Sequence, residues 1–108
     1  MPLTFAQLNT SLGKPKPITI QVLLDSGGSR TVIWSSLATK LRKKKITPTS
    51  WSTMAGNVTT AKLAKIQFSL PKFFDDRLVE WDVHLTQNLG NYDMIIGISL
   101  DKVQDQSR

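Results

Sequence analysis

Between residues 22 and 33 the chain reads Val-Leu-Leu-Asp25-Ser26-Gly27-Gly28-Ser29-Arg30-Thr31-Val32-Ile33. An apolar run delivers one carboxylate into a turn of Ser and Gly, and the chain then turns apolar again. Such a pattern holds an acid at the end of a buried strand while its oxygens stay reachable. Where carboxylates alone serve as general acid and general base, two are needed, with divided roles. The acid motif occurs once in 108 residues, so a pair requires a second copy from another chain. Taken alone, Asp-Ser-Gly is more simply read as ordinary turn chemistry, since Asp and Gly suit tight loops.

Other chemistries find less support. His84 is the only histidine; it falls on the polar side of an alternating stretch and reads as exposed strand surface. Ser26 therefore lacks a base to make it a nucleophile. Without cysteine the chain offers neither disulfides nor a zinc set. Asp75, Asp76, Glu80, Asp82 and Asp93 lack calcium-ligand spacing and read as solvated loops and strand faces. No metal and no cofactor is expected. Trp34, Trp51 and Trp81 are most simply core or interface anchors. Asn57-Val58-Thr59 matches a glycosylation acceptor, read as chance because no secretory leader precedes it.

The elements that must position Asp25 are short strands. Lys14-Pro15-Lys16-Pro17 separates an opening segment from Ile18–Leu24, whose β-branched and apolar content suits a strand. Thr31–Ile33 reads as a second strand, and Ser35-Ser36 as the cap of a short helix through about Leu41. Pro48 interrupts. Ser50–Met54 and the residues from Val58 to Leu70 read as a long hairpin turning at Ala55-Gly56-Asn57, with an irregularity near Ala64-Lys65. Leu78–Leu85 alternates as a further strand. Tyr92–Ile96 is another, closed by Gly97, and Ile98–Gln104 reads as a terminal helix. The expectation is one all-β domain over residues 1–108, with one or two short helices.

Composition adds bounds. Hydrophobic residues make up 40% and charged residues 20%, the balance of an ordinary folded domain and not of a disordered tail. The apolar runs are too short to span a membrane. The net charge is +6, and Lys40, Arg42, Lys43, Lys44 and Lys45 fall within six positions. A run of this kind can touch RNA or an acidic partner. The preferred reading is a solvated helix end, where cations suit the dipole. No aromatic residue is interleaved for base stacking, so nucleic acid is not an expected partner. An intracellular setting, such as the cytoplasm, is expected.

Asp25-Ser26-Gly27 between apolar runs, the Met54-Ala55-Gly56-Asn57 hairpin, and Met94-Ile95-Ile96-Gly97 ahead of a terminal helix occur in that order. Together they resemble the retropepsins, the aspartic proteases of retroviruses and LTR retrotransposons. Tyr92-Asp93-Met94-Ile95-Ile96-Gly97 looks most like the gypsy-type retrotransposon enzymes. The resemblance covers roughly residues 17–104. It implies a closed, mostly antiparallel β-barrel that forms a homodimer about a two-fold axis, with the active site on that axis. Each chain would give one Asp25, and the two carboxylates would share a proton and titrate as a pair. A water between them would attack the peptide carbonyl of an extended stretch of polyprotein.

By the same resemblance Ser26 bonds across the dimer axis, and Gly27 lets the substrate backbone approach. Met54, Ala55, Gly56 and Asn57 form a flap over the peptide. Gly28, Ser29 and Arg30 continue the binding surface. Ile33 and Ile96 line pockets or pack behind the acid. Two departures stand out. Ile98 occupies a place where many family members carry arginine, and Gln104-Asp105-Gln106-Ser107-Arg108 holds no apolar strand to interleave across a dimer. Leu3-Thr4-Phe5 is a candidate substitute for that strand. The alternative is a retropepsin-like domain kept for dimerisation or peptide binding, with cleavage weak or lost.

Overall fold

Alternation and β-branching dominate this chain, and the backbone follows them. The computed structural model describes residues 3–9, 17–25, 30–53, 55–71 and 78–97. Among these residues seven strands run in order: β1 (Leu3–Asn9), β2 (Ile18–Asp25), β3 (Val32–Trp34), β4 (Lys43–Thr53), β5 (Gly56–Ser69), β6 (Leu78–Thr86) and β7 (Met94–Gly97). A 3-10 turn, Ser35–Ala38, follows β3. The hydrogen-bonded order is β1-β2-β7-β3-β6-β5-β4, and β1 pairs with β5 as well. That extra pairing, Gln7 to Ser69 through Asn9 to Gln67, returns the sheet to its first strand. Six strands therefore close on themselves and β4 lies outside them. Closure satisfies backbone groups that an open edge would expose. Among the described pairings β2–β7 and β3–β6 are parallel and the rest antiparallel.

Period-two alternation splits the apolar side chains between two faces. Ile20, Val22 and Leu24 of β2 join Ile33, Ile66, Phe68, Met94 and Ile96 in the main core. Phe68 meets the Trp81 ring edge-on, with centroids 5.5 Å apart. Leu23, Val32 and Ile95 point to the opposite face and form a smaller cluster with Val58 and Leu89. The segments Val22–Leu24 and Met94–Ile96 are apolar at every position because both faces of these strands are covered, the usual state of parallel pairing.

Asp93 fastens this region. Its carboxylate accepts the Gln21 N–H at 2.9 Å. Its own N–H donates to the Gln21 carbonyl at 3.1 Å, and its carbonyl accepts the Trp34 N–H at 2.9 Å. One residue thus joins β2, β3 and the start of β7.

Several sequence expectations are corrected. The opening segment is a full strand, β1, its Leu3 opposite Leu23 and its Leu8 opposite Ile18. The helix foreseen through Leu41 is the 3-10 turn alone, without a side-chain cap. The basic run is consequently not a helix end: Lys43, Lys44 and Lys45 open β4 and pair with Ala64, Leu63 and Lys62. Both hairpin arms are longer than expected. The irregularity lies in β4, between Lys45 and Thr49, and not at Ala64-Lys65. Pro48 sits in that interval and has no N–H for the ladder. The turn comes one residue early, since Thr53 already pairs with Gly56. Gly56 holds φ at +108°, a value that side-chain-bearing residues rarely adopt.

Candidate active site

Asp25 is the last residue of β2, and its backbone partner on β7 is Gly97. It stands two positions after Leu23, so it shares the face of Leu23, Val32 and Ile95 and not that of the main core. The ledge is set from three directions. Leu23 and Leu24 pair with Ile95 and Ile96, Val32 pairs with Ile95 from the other side, and the Gly97 N–H donates to the Arg30 carbonyl at 3.1 Å. Asp25 is half-buried. It lines a cleft of about 360 Å³ with Arg30, Thr49, Ser50, Trp51, Ser52, Thr53 and Ile95. Among the described residues Asp25 is the one acid on that lining.

The opposite wall is the β4–β5 hairpin, folded back over the ledge. Trp51 and Ala55 pack on the Leu23–Val32–Ile95 cluster, and Val58 is buried within it. Hydroxyl ladders stiffen the hairpin. Ser50 and Thr59 are 2.8 Å apart across the strands, and Ser52 Oγ donates to Asn57 Oδ1 at 2.8 Å. Thr53 Oγ1 donates to the Gly56 carbonyl at 2.7 Å and accepts the Ala55 N–H at 3.0 Å.

Trp51 is the keystone of this wall. Arg30 lies over its ring, Cζ 4.9 Å from the centroid, and also donates to Thr49 Oγ1 at 3.5 Å. His84 of β6 meets the same indole edge-on at 5.0 Å. His84 is half-buried and its Nδ1 has no hydrogen-bond partner among the described residues, so it is not the exposed surface residue its alternation suggested. Burial first, and the Arg30 guanidinium second, hold the imidazole below its ordinary pKa of 6.5.

The other expected site residues divide. Arg30 reaches the cleft. Ala55 packs against the apolar cluster beneath the hairpin, and Gly56 is exposed at its end. Asn57 lines a separate groove on the other side. Ile33 and Ile96 are wholly buried in the main core, behind the acid, while their neighbour Ile95 faces the cleft. Ser26, Gly27, Gly28, Ser29, Met54, Ile98 and the terminal helix lie outside the described residues. The sequence reading did not single out Thr49, Ser50, Ser52, Thr53 and Ile95 as cleft residues, and it took Trp51 for a generic anchor. Among the described residues no three of His, Cys, Asp and Glu gather closely enough to hold a metal ion. Among them, too, no helix is long and apolar enough to cross a membrane.

Comparison with known proteins agrees with this geometry. A family model described as aspartyl protease matches residues 10–100. Among solved structures, EIAV protease complexed with the inhibitor HBY-793 is similar at a TM-score of 0.60 and 21% identity, covering 97% of this chain and 86% of that one. The solution structure of simian foamy virus (mac) protease is similar at a TM-score of 0.51 and 16% identity, covering 89% of this chain and 87% of the other. No curated protein matches the sequence. The chain belongs to the aspartyl protease family, aspartic-type endopeptidases, and carries the fold seen in the retroviral enzymes.

Proposed function

We propose that this chain is one half of a homodimeric endopeptidase that cuts a retroelement polyprotein with a water activated between two copies of Asp25. The observation that carries the proposal is the lone acid among the described residues of the cleft. One carboxylate ends a strand in a cleft lined otherwise by an arginine, hydroxyls, Trp51 and Ile95. Hydrolysis by activated water needs a base to take the proton and an acid to assist the carbonyl oxygen. A two-fold axis beside Asp25 supplies both from a single residue type.

In this reading one Asp25 is ionised and takes a proton from the water, and its protonated copy donates to the carbonyl oxygen of the scissile bond. Ser26 and Gly27 would hold the dimer contact and give the peptide backbone room. The β4–β5 hairpin acts as the flap, with residues 54–57 at its turn. Thr49, Ser50, Ser52 and Thr53 offer hydroxyl and backbone groups to an extended peptide, which binds as an added strand. Residues 1–108 act as one domain, in the cytoplasm or within a retroelement particle.

The test is peptide cleavage at acidic pH across a range of enzyme concentrations. Rates should rise faster than linearly with enzyme, stop with a transition-state aspartic-protease inhibitor, and fall by at least three orders of magnitude in Asp25→Asn. A folded dimer that binds the inhibitor yet cuts no peptide of a broad library would leave a binding domain in place of an enzyme.

A further inference from the structure

The cation run that the sequence assigns to a helix end takes a different place in the fold. Lys43 and Lys45 lie on one face of β4, and Lys45 stands directly opposite Lys62 on β5. Directly paired side chains share a sheet face, so three lysines crowd one side of the hairpin. Lys40, Arg42 and Lys44 flank them, and all six are exposed. Along β5 the even positions Val58, Thr60, Ala64, Ile66 and Phe68 are buried, yet Lys62 interrupts that register.

At Lys62 the hairpin overhangs the body and leaves a groove of about 640 Å³. Lys43 and Lys62 line it from the hairpin, and Ser35, Thr39 and Asn88 line it from the body. No acid is on its lining, and none of these six cations is within ion-pair distance of an acid among the described residues. Lysines on an outer strand such as β4 discourage unwanted strand pairing. That role does not account for Lys62, which stands on the inner strand β5. Two like charges directly opposite cost stability, and nothing within the described chain offsets them.

We propose that this groove is a binding site for the phosphate backbone of single-stranded RNA. Lysines act as point charges for phosphates, and the hydroxyl and amide groups around them suit phosphate and ribose oxygens. An acidic protein segment would match the charge alone. Among the described residues the groove carries no aromatic for stacking, so recognition is electrostatic and independent of base sequence. Neither the site at Asp25 nor its chemistry is needed for this binding.

The experiment is fluorescence anisotropy of a labelled oligouridine titrated with the full chain at several salt concentrations. Three phosphates neutralised on a single strand give a log–log salt slope of about −2, or about a 20-fold loss of affinity between 50 and 200 mM salt. The double variant Lys43→Glu/Lys62→Glu, at the two lysines that line the groove, should bind at least about tenfold more weakly and shed about 1.4 of that slope. Lys43→Ala/Lys62→Ala should move the same way by less. Circular dichroism and the thermal midpoint confirm that each variant is folded, whatever its proteolytic activity. Unchanged RNA binding in folded variants, no salt-dependent binding by the parent chain, or equal competition by polyglutamate at matched charge would each overturn the proposal.

Discussion

Replacing Trp51 by alanine tests whether the β4–β5 hairpin is truly docked on the ledge that carries Asp25. A fully buried tryptophan removes ~150–250 Å² from water. Trp51 is half-buried, so about 100 Å² is at stake, worth about 2.5 kcal/mol at ~25 cal/mol per Å². The edge contact with His84 adds about 0.5–1.5 kcal/mol, and the exposed Arg30 over the ring adds about 0.5–1 kcal/mol. Correcting for a denatured chain already partly collapsed brings the sum to about 3 kcal/mol. For a domain of this size that lowers the thermal midpoint by about 12 °C. Circular dichroism melts at one fixed protein concentration give the comparison, because a partner subunit raises apparent stability by mass action. Trp51→Phe, which keeps a ring between Arg30 and His84, should cost only about 1 kcal/mol. A double-mutant cycle with Arg30→Met should return a coupling of about 0.5–1 kcal/mol. If Trp51→Ala melts within about 0.5 kcal/mol of the parent, the hairpin does not rest on this residue and the described wall of the cleft is wrong.

Other consequences concern charge and ties. Burial, then Arg30, holds the His84 pKa below 6.5, so the unfolded chain takes up this proton first as pH falls. The contribution is complete above 6.5 and is lost as pH falls through the lowered folded value, below which it levels off. Urea midpoints between about pH 7.5 and 5 should therefore fall more steeply for the parent than for His84→Gln. A parent-minus-variant difference that is flat or grows in acid would contradict the buried imidazole. Asp93→Ala removes the acceptor of the Gln21 N–H and should cost about 1.5–3 kcal/mol in chemical denaturation, the range for a hydrogen bond to a charged group. Asp93→Asn retains an acceptor oxygen and should recover part of that loss; equal losses in the two variants would rule out the hydrogen bond as their cause.

The sequence carried the placement of Asp25 well, because its signals are local. An apolar run that ends in an acid reads as a strand reaching its end, and β2 does end at Asp25. The unbroken Met94-Ile95-Ile96 announces a strand covered on both sides. Less legible was anything decided by distant neighbours. Lys43–Lys45 follow a turn and look like a helix end, yet pairing with Ala64–Lys62 makes them strand. Pro48 read as a break between elements, but a strand outside the closed ring absorbs it as a register shift. His84 alternates with apolar residues and so reads as exposed; only the hairpin arriving from 33 positions earlier, with Trp51, half-buries it. Ile95 and Ile96 are chemically alike, and only the pleat of β7 decides which of them sees the cleft.

The parallel pairing of β2 with β7 also governs when the ledge beneath Asp25 can form. Gln21 and Asp93, which anchor that pairing, are 72 positions apart. Long-range closures of this kind come late, since the connecting chain must be ordered before they form. On the ribosome, a nascent copy that has not yet emerged through Gly97 has no neighbour to seat Asp25. A growing polypeptide thus carries Asp25 through synthesis with its ledge unbuilt, and the cleft around it waits for the residues up to Gly97 to emerge.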